Sequence, residues 1–335
     1  MSAGSVPKIG LSLPNRGVLF GYPVEELIKA AVVAEDSGCF GSVWVGDNYL
    51  SKPRLEALVT LAAIAARTTS VRLGTICLAS FNLRNPLELA IQWASLDVIS
   101  GGRTDLYVCL GAAASNGPQF AAELEAFDRR SVDRVGRMKE GVELLRRFWS
   151  DDLVTYSGEF YEYADVNALP KPVQSPMPIG IAVNPGHPAH GKSLDPAVEE
   201  RALRRVARIA NGWQTDATPV DVFKDRWDRI QSYAAEYGRV GEVAESCLHL
   251  MVNINEDEDR AYRESVEFLD RYYGVGAIPE EAVRLWLAVG SPASVAEKIA
   301  TYIEAGCTTP VLRFCTPDQR GQIERCAAEV FPLLA

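Results

Sequence analysis

Apolar positions along the chain fall into two patterns that take turns. Short, nearly continuous apolar runs stand at Ile9–Leu13, Ser42–Val45, Val71–Cys77, Asp105–Leu110, Ile179–Val183, Asn211–Trp213, Leu248–Ile254 and Thr308–Phe314. Runs of that length predict strands buried on both faces, as in a parallel sheet. Between them apolar residues recur every three or four positions, as at Val24, Leu27, Ile28, Ala31 and Ala34, or at Val135, Met138, Val142, Leu145 and Trp149. That spacing lines one face of a helix.

The unit from Val71 to Gly111 shows the scheme best. A strand leads into an irregular loop, Leu78–Leu83, and then into a helix carrying Leu87, Ala90, Trp93, Ala94 and Ile99. Asn85 suits that helix's cap and Pro86 its first position, where no amide hydrogen is needed. Ser100-Gly101-Gly102 ends it, and the next strand follows. Two strands joined by one helix lie parallel. Eight such strands, each followed by a helix, predict an α/β chain folded as a single (β/α)₈ TIM barrel domain over residues 1–335. Insertions are expected after the fourth helix (Leu153–Pro172, non-helical) and after the seventh strand. Ala112–Arg130 and Gly274–Ala288 read as loops that cover the pocket. A barrel places its site at the carboxyl ends of the strands.

Composition narrows the partners. The net charge of −10 comes with no basic block, which argues against nucleic acid. No run approaches the ~20 apolar residues of a membrane span, and the start, MSAGSVPKIG, lacks the charged-then-apolar form of a signal peptide. Seven scattered cysteines without a C-x-x-C pair read as reduced, packed thiols of a cytoplasmic protein. The three histidines show no ligand spacing, so no metal site is expected.

Several strand ends carry candidate chemistry. Gly111-Ala112-Ala113-Ala114 has almost no side chains, which suits either a tight turn or the approach of a flat ring to the backbone. Gly186 to Ser193 formally matches the pattern of a phosphate-binding loop ending in Lys192-Ser193. Asp195-Pro196 looks like the cap of the next helix, too late for that mechanism, and Pro185 and Pro188 remove amide donors. A nucleotide triphosphate loop is therefore rejected. His187, His190 and Lys192 remain either anion contacts or part of a surface loop. Trp44 and Trp93 read as packing, and Trp213 as either core or a contact at the site.

WVGDN, then LGT with RNP beginning ten residues after Gly74, LDVISGGR, RVGRMKEGVELLRRFW, LPKPVQSPMPIGIA and ALRRVARIANGW follow in order over residues 9–213, about 60% of the chain. In order and spacing this series resembles the luciferase-like superfamily of flavin- and deazaflavin-dependent oxidoreductases. The resemblance implies a cofactor at the barrel mouth, coenzyme F420 for hydride transfer or FMN for a monooxygenase. The strand-three spacing and IAVNPG most resemble the F420 branch. It further implies a cis peptide at Ile76–Cys77 supporting the cofactor ring, with Gly111 and Ala112 beside it. Ala182, Asn184, Gly186 and Lys192 would hold its side chain and phosphate, although Asn184-Pro185 replaces a usual Gly-Gly.

Where many relatives carry Asp-His or Glu-His, this chain has Asp47-Asn48, and asparagine donates no catalytic proton. Asp47, also a cofactor neighbour by the resemblance, Tyr49 or a water must then serve. The missing histidine also leaves open an inactive, binding-only barrel. In the glucose 6-phosphate dehydrogenase subgroup a glutamate follows the glycines after strand four. Ser115-Asn116 here argues against that activity. The substrate is expected to be a small organic molecule. A homodimer is expected through Leu58–Ala66 and Pro86–Ile99.

Overall fold

The computed structural model describes residues 9–129, 133–184 and 195–334. Gly186 and Lys192, and with them the whole glycine-lysine loop, lie outside the described residues. Four short strands come first: β1 (Gly10–Leu13), β2 (Ser42–Val45), β3 (Arg72–Thr75) and β4 (Thr104–Val108). An antiparallel hairpin, β5 (Val154–Ser157) with β6 (Glu162–Val166), stands apart from them. The rest are β7 (Ile179–Ala182), β8 (Gly212–Asp216), β9 (Glu245–Ile254), β10 (Leu287–Gly290) and β11 (Thr309–Phe314). Parallel pairing runs β1-β2-β3-β4-β7-β8-β9-β11 and returns to β1, so eight strands close a barrel. The expected (β/α)₈ architecture is what forms.

Helices clothe the outside: α1 (Val24–Asp36), α2 (Ala57–Ala65), α3 (Pro86–Ser100), α4 (Pro118–Ala126), α5 (Arg134–Ser150), α6 (Pro196–Ile209), α7 (Val220–Glu236), α8 (Glu258–Tyr273), α9 (Glu280–Trp286), α10 (Pro292–Glu304) and α11 (Gln319–Arg325). Asn85 caps α3 through Oδ1, which accepts from the Leu87 amide at 2.9 Å, and Gly101 ends it at φ +70°.

Several boundaries differ from the sequence reading. The stretch 112–130 is not one loop, because Gly117-Pro118 starts α4 and Leu124 is buried under it. The stretch 274–288 holds α9, and β10 then adds a parallel strand to the far end of β9. The 153–172 insertion is the β5–β6 hairpin. The second helix starts at Ala57, where Glu56 caps it by accepting from the Val59 amide at 2.8 Å.

Inside the barrel the lower half is filled by two large rings. Trp44 and Tyr107 meet edge to face with centroids 5.4 Å apart, beside Cys247 and Val311. Space for them comes from glycines on neighbouring strands. A methyl at Gly74 would run into the Trp44 ring, and one at Gly180 into Tyr107. The plug leaves the upper barrel open, and the site sits there.

Candidate active site

Above the plug, the ends of β3, β4, β7, β8 and β9 enclose a cavity of about 210 Å³. Ile76, Cys77 and Cys109 line one side, Ala182, Val183 and Asn184 the base of another, and Gln214, Thr215, Asp216 and His249 the opposite side. Of the residues singled out in the sequence, Ile76, Cys77, Ala182 and Asn184 therefore come together. The Ile76–Cys77 peptide is cis.

The bulge that follows β3 is held from below by charge. Asp47 is buried, and its Oδ2 accepts from the Ser80 amide at 2.7 Å. Arg84 reaches Asp47 Oδ1 at 3.3 Å and Glu56 Oε1 at 2.7 Å, and its Nε donates to Ser80 Oγ at 2.7 Å. Burial pushes the Asp47 carboxyl above its usual range, with Arg84 and Ser80 pulling the other way. Tyr49 packs flat on Phe127 at 5.0 Å with the Arg84 guanidinium over its face, and burial raises its phenol. Asp47 and Tyr49 thus stand beside and beneath the bulge, outside the cavity lining. Asn48 accepts from Arg54 Nη2 at 3.2 Å and donates to Ser51 Oγ at 3.2 Å.

At the end of β4, Gly111 adopts φ +67°, and a Cβ there would come within 2.7 Å of the Ala79 carbonyl. Glycine is what lets the 109–112 backbone press against the bulge. Gly111 and Ala112 stand behind Cys109 and do not reach the cavity.

The β7–β8 side shows why Asn184 stands where it does. Its Nδ2 donates to the Asp216 backbone carbonyl at 2.7 Å and to Asp216 Oδ1 at 2.9 Å, tying the two strand ends together. Arg226 Nη1 donates to Asn184 Oδ1 at 3.2 Å. Trp213 is fully buried, tilted against Phe223 and stacked with Trp227, and donates to the Val183 carbonyl at 2.9 Å. Of the two readings, core and contact, the buried packing fits core.

His249, which sequence reasoning did not single out, lines the cavity. It lies on β9 opposite Asp216, is 6% exposed, and its Nε2 has no hydrogen-bond partner among the described residues. Burial, then Arg313 and Arg54, push its imidazole well below the usual range, so it is neutral at pH 7. The Trp286 indole donates to the His249 carbonyl at 2.8 Å and meets its ring edge-on at 5.5 Å. Beside it Gln214 Nε2 is also buried without a partner among the described residues. A signal existed: His249 interrupts the apolar run LHLMVNI on one strand, and a lone polar residue on a barrel-lining strand needs a reason. Arg313 is the same signal one strand over. It is 1% exposed, donating from Nη2 to Ser12 Oγ at 2.7 Å and to the Leu13 carbonyl at 3.0 Å, with Tyr272 under its guanidinium.

Comparison with known proteins places this geometry. The family model for luciferase-like monooxygenase matches residues 8–309. A relative from Kineococcus radiotolerans, named F420-dependent glucose-6-phosphate dehydrogenase, is 26% identical, with 92% of this chain and 93% of that one aligned. One of the same name from Amycolatopsis mediterranei is 25% identical over 92% and 94%. Among solved structures, an F420-dependent secondary alcohol dehydrogenase in complex with an F420-acetone adduct superimposes with a TM-score of 0.80. It is 18% identical and covers 99% of this chain and 100% of its own. A monooxygenase from Streptomyces bottropensis gives 0.79 at 23% identity, over 98% and 100%. These likenesses at low identity show the shared fold.

Proposed function

The chain belongs to the luciferase-like monooxygenase family, and on that premise we propose that it is an oxidoreductase using coenzyme F420 to exchange hydride with a small alcohol or carbonyl compound. The observation that carries this reading is the cavity itself. Backbone from the β3 bulge forms one wall, and on the other stands a neutral histidine with an open nitrogen. The relatives named for F420, aligned over nine-tenths of the chain, support the choice of cofactor. The group fits the residues present. Among the described residues the Gln214 Nε2 donor and the His249 Nε2 are buried without partners, and such atoms are normally answered by a ligand or water.

When bound, the deazaflavin would supply or receive the hydride. The chain's share is orientation and proton handling. Ile76, Cys77 and Ala182 would face the ring, while Asn184 holds the β7 end beside it. Asp47 and Arg84 would keep the bulge in place from below. Neutral His249 can take the hydroxyl proton of an alcohol at Nε2, or return it to a carbonyl oxygen, and Gln214 can hold that oxygen. Gly186 and Lys192 are proposed phosphate contacts by resemblance alone.

Titrating cofactor-free protein with F420 and with FMN, read by cofactor fluorescence, tests the reading. Binding of F420 in the micromolar range with FMN bound at least tenfold more weakly is expected. Tight FMN binding with oxygen uptake on reduction would replace it by the monooxygenase reading, and binding of neither would leave a binding-only barrel.

We also propose a homodimer through α2 and α3, whose outer face exposes Val59, Ile91, Val98 and Ile99. Light scattering that returns a monomer would refute it. The free state of all seven cysteines suits a cytoplasmic protein.

A further inference from the structure

The chain carries a net charge of −10, yet cations gather on the β1, β2 and β11 side of the mouth. Arg54 and Arg16 act on Lys52, and Arg54 and Arg313 both act on Tyr272. Elsewhere a half-buried arginine meets a carboxylate, as Arg226 meets Glu199 at 2.7 Å. None of these four cations has an ion pair among the described residues. The three arginines are answered by neutral groups instead. Arg16 donates to the Tyr272 carbonyl at 2.6 Å and the Pro53 carbonyl at 2.8 Å. Arg54 donates to the Lys52 carbonyl at 3.1 Å and to Asn48 Oδ1, and Arg313 to Ser12 Oγ and the Leu13 carbonyl.

The Lys52 ammonium is different. It makes no hydrogen bond among the described residues and stands over the rings of Phe120, at 5.8 Å, and Tyr273, at 5.1 Å. The loop that carries it is fixed. Glu123, buried on α4, accepts from the amides of Tyr49 at 3.0 Å and Leu50 at 2.9 Å, and from Ser51 Oγ at 2.6 Å. Burial, then Arg54, push the Lys52 ammonium below its ordinary range; Asp216 pulls upward, and Arg16 adds to the fall. Asp216 is itself held by Asn184 at 2.9 Å.

A row of rings joins this cation to the cavity. Tyr273 meets Trp286 with centroids 5.8 Å apart, and Trp286 meets His249 at 5.5 Å. One wall therefore runs from His249 past two aromatic faces to Lys52.

We propose that Lys52 determines specificity and that the substrate is a hydroxy or oxo acid, its carboxylate on the Lys52 ammonium and its alcohol or carbonyl carbon at His249. This rests on the F420 reading of the mouth and names the substrate class of that same site. Trp286 and Tyr273 lie between the two ends, so an apolar spacer separates the carboxylate from the reacting carbon. A monoanion fits one open ammonium. The guanidinium forks that would grip a phosphate at two points already donate to carbonyls, an amide oxygen and a hydroxyl. Beside aromatic rings, away from bulk water, the pair is worth more than on open surface.

The test uses the F420-loaded enzyme with lactate, 4-hydroxypentanoate and 6-hydroxyheptanoate, each beside its methyl ester, which keeps the shape and removes the charge. One of the longer acids is expected to exceed its ester about tenfold in kcat/KM, the difference lying in KM, as one charged contact gives. In K52M acid and ester should converge, and K52R should restore part of the preference. F420 affinity, read by fluorescence, should move less than threefold in both variants, which checks that they fold. Calorimetry on the F420-loaded protein reads the same contrast without turnover: the acid should bind about tenfold tighter than its ester, and the gap should close in K52M. Binding of neither, equal binding of both, a preference that survives K52M, or tighter binding of the matching phosphate monoester would overturn the Lys52 assignment and leave the F420 reading standing. If F420 itself does not bind, that reading falls and the substrate assignment falls with it.

Discussion

The two walls of the mouth are built to opposite rules. Under the β3 bulge the charges answer one another: Asp47 holds the Ser80 amide, and Arg84 bridges Asp47, Glu56 and Ser80 Oγ. Across the cavity, His249 and Gln214 each bury a nitrogen that no described residue answers. A buried polar group left unmet costs about 1–3 kcal/mol. A fold keeps such a cost where something outside the chain is to supply the missing partner. On the proposed reading the satisfied wall is scaffold and the unsatisfied wall is where the reaction takes place.

The hardest way to break that contrast is to remove His249. With His249→Asn, F420 turnover should fall by 10²–10⁴-fold, the span of general acid–base catalysis. Cofactor affinity, read by fluorescence, should move less than threefold. A variant that loses affinity and keeps its turnover number would make His249 scaffold too. The pH profile gives an independent reading. The folded imidazole is depressed, so the acid limb of kcat should lie below the ordinary histidine range and vanish in the variant. The same shift links to stability. The unfolded chain takes up the proton near pH 6.5 and the folded chain only lower, so stability should decline as pH falls below about 6.5.

The scaffold wall is tested by stability. Asp47→Ala leaves the Ser80 amide and one arm of a buried guanidinium without a partner, and should cost about 3 kcal/mol in denaturant unfolding. F420 affinity should fall with it, because the bulge loses its support. Asp47→Asn keeps an acceptor for Ser80 and should cost about 1 kcal/mol. Equal losses in both would show that charge, not the amide contact, holds the bulge. Lower in the barrel, Gly180→Ala drives a methyl into the Tyr107 ring and should cost about 1–3 kcal/mol by overpacking. Turnover per folded molecule should stay near that of the parent.

The contrast also explains what the sequence could tell. Strand ends at β2 and β3 were legible because glycine, proline and paired charges occupy fixed spacings there: Asp47, Gly74 and Arg84-Asn85-Pro86 each have a backbone reason to be what they are. The eight strands were legible because a barrel-lining strand must be apolar on both faces. His249 was not, since a histidine in an apolar strand carries no spacing, and its meaning depends on Asp216 and Gln214 arriving from another strand. α4 and α9 were lost among polar loops for the same reason. Each buries only two or three residues, such as Leu124 or Trp286, too few to mark a period.

A second carboxylate sharpens the meaning of Asp47. Glu35, at the end of α1 and far from the mouth, also accepts backbone amides: Ser70 at 2.8 Å, Thr69 at 2.9 Å and Val71 at 3.0 Å, with the Thr69 hydroxyl at 3.1 Å. Burial, the largest single effect, raises its pKa, but these donors together outweigh it and bring the carboxyl to about 2. For Asp47, fully enclosed, burial wins and the shift is upward. The two should therefore act oppositely on stability. Ionised Glu35 adds stability that is complete above its unfolded value near 4.5 and is lost as pH falls toward 2. Raised Asp47 takes up its proton more readily folded than unfolded, so its contribution improves as pH falls into the acid range. Glu35→Gln should cost about 1 kcal/mol at pH 7, after allowance for solvent screening of a partly exposed group. It should also flatten the acid side of the stability curve below pH 4.5. In Asp47→Asn the same region should steepen instead, because the group that offset the loss of Glu35 is gone.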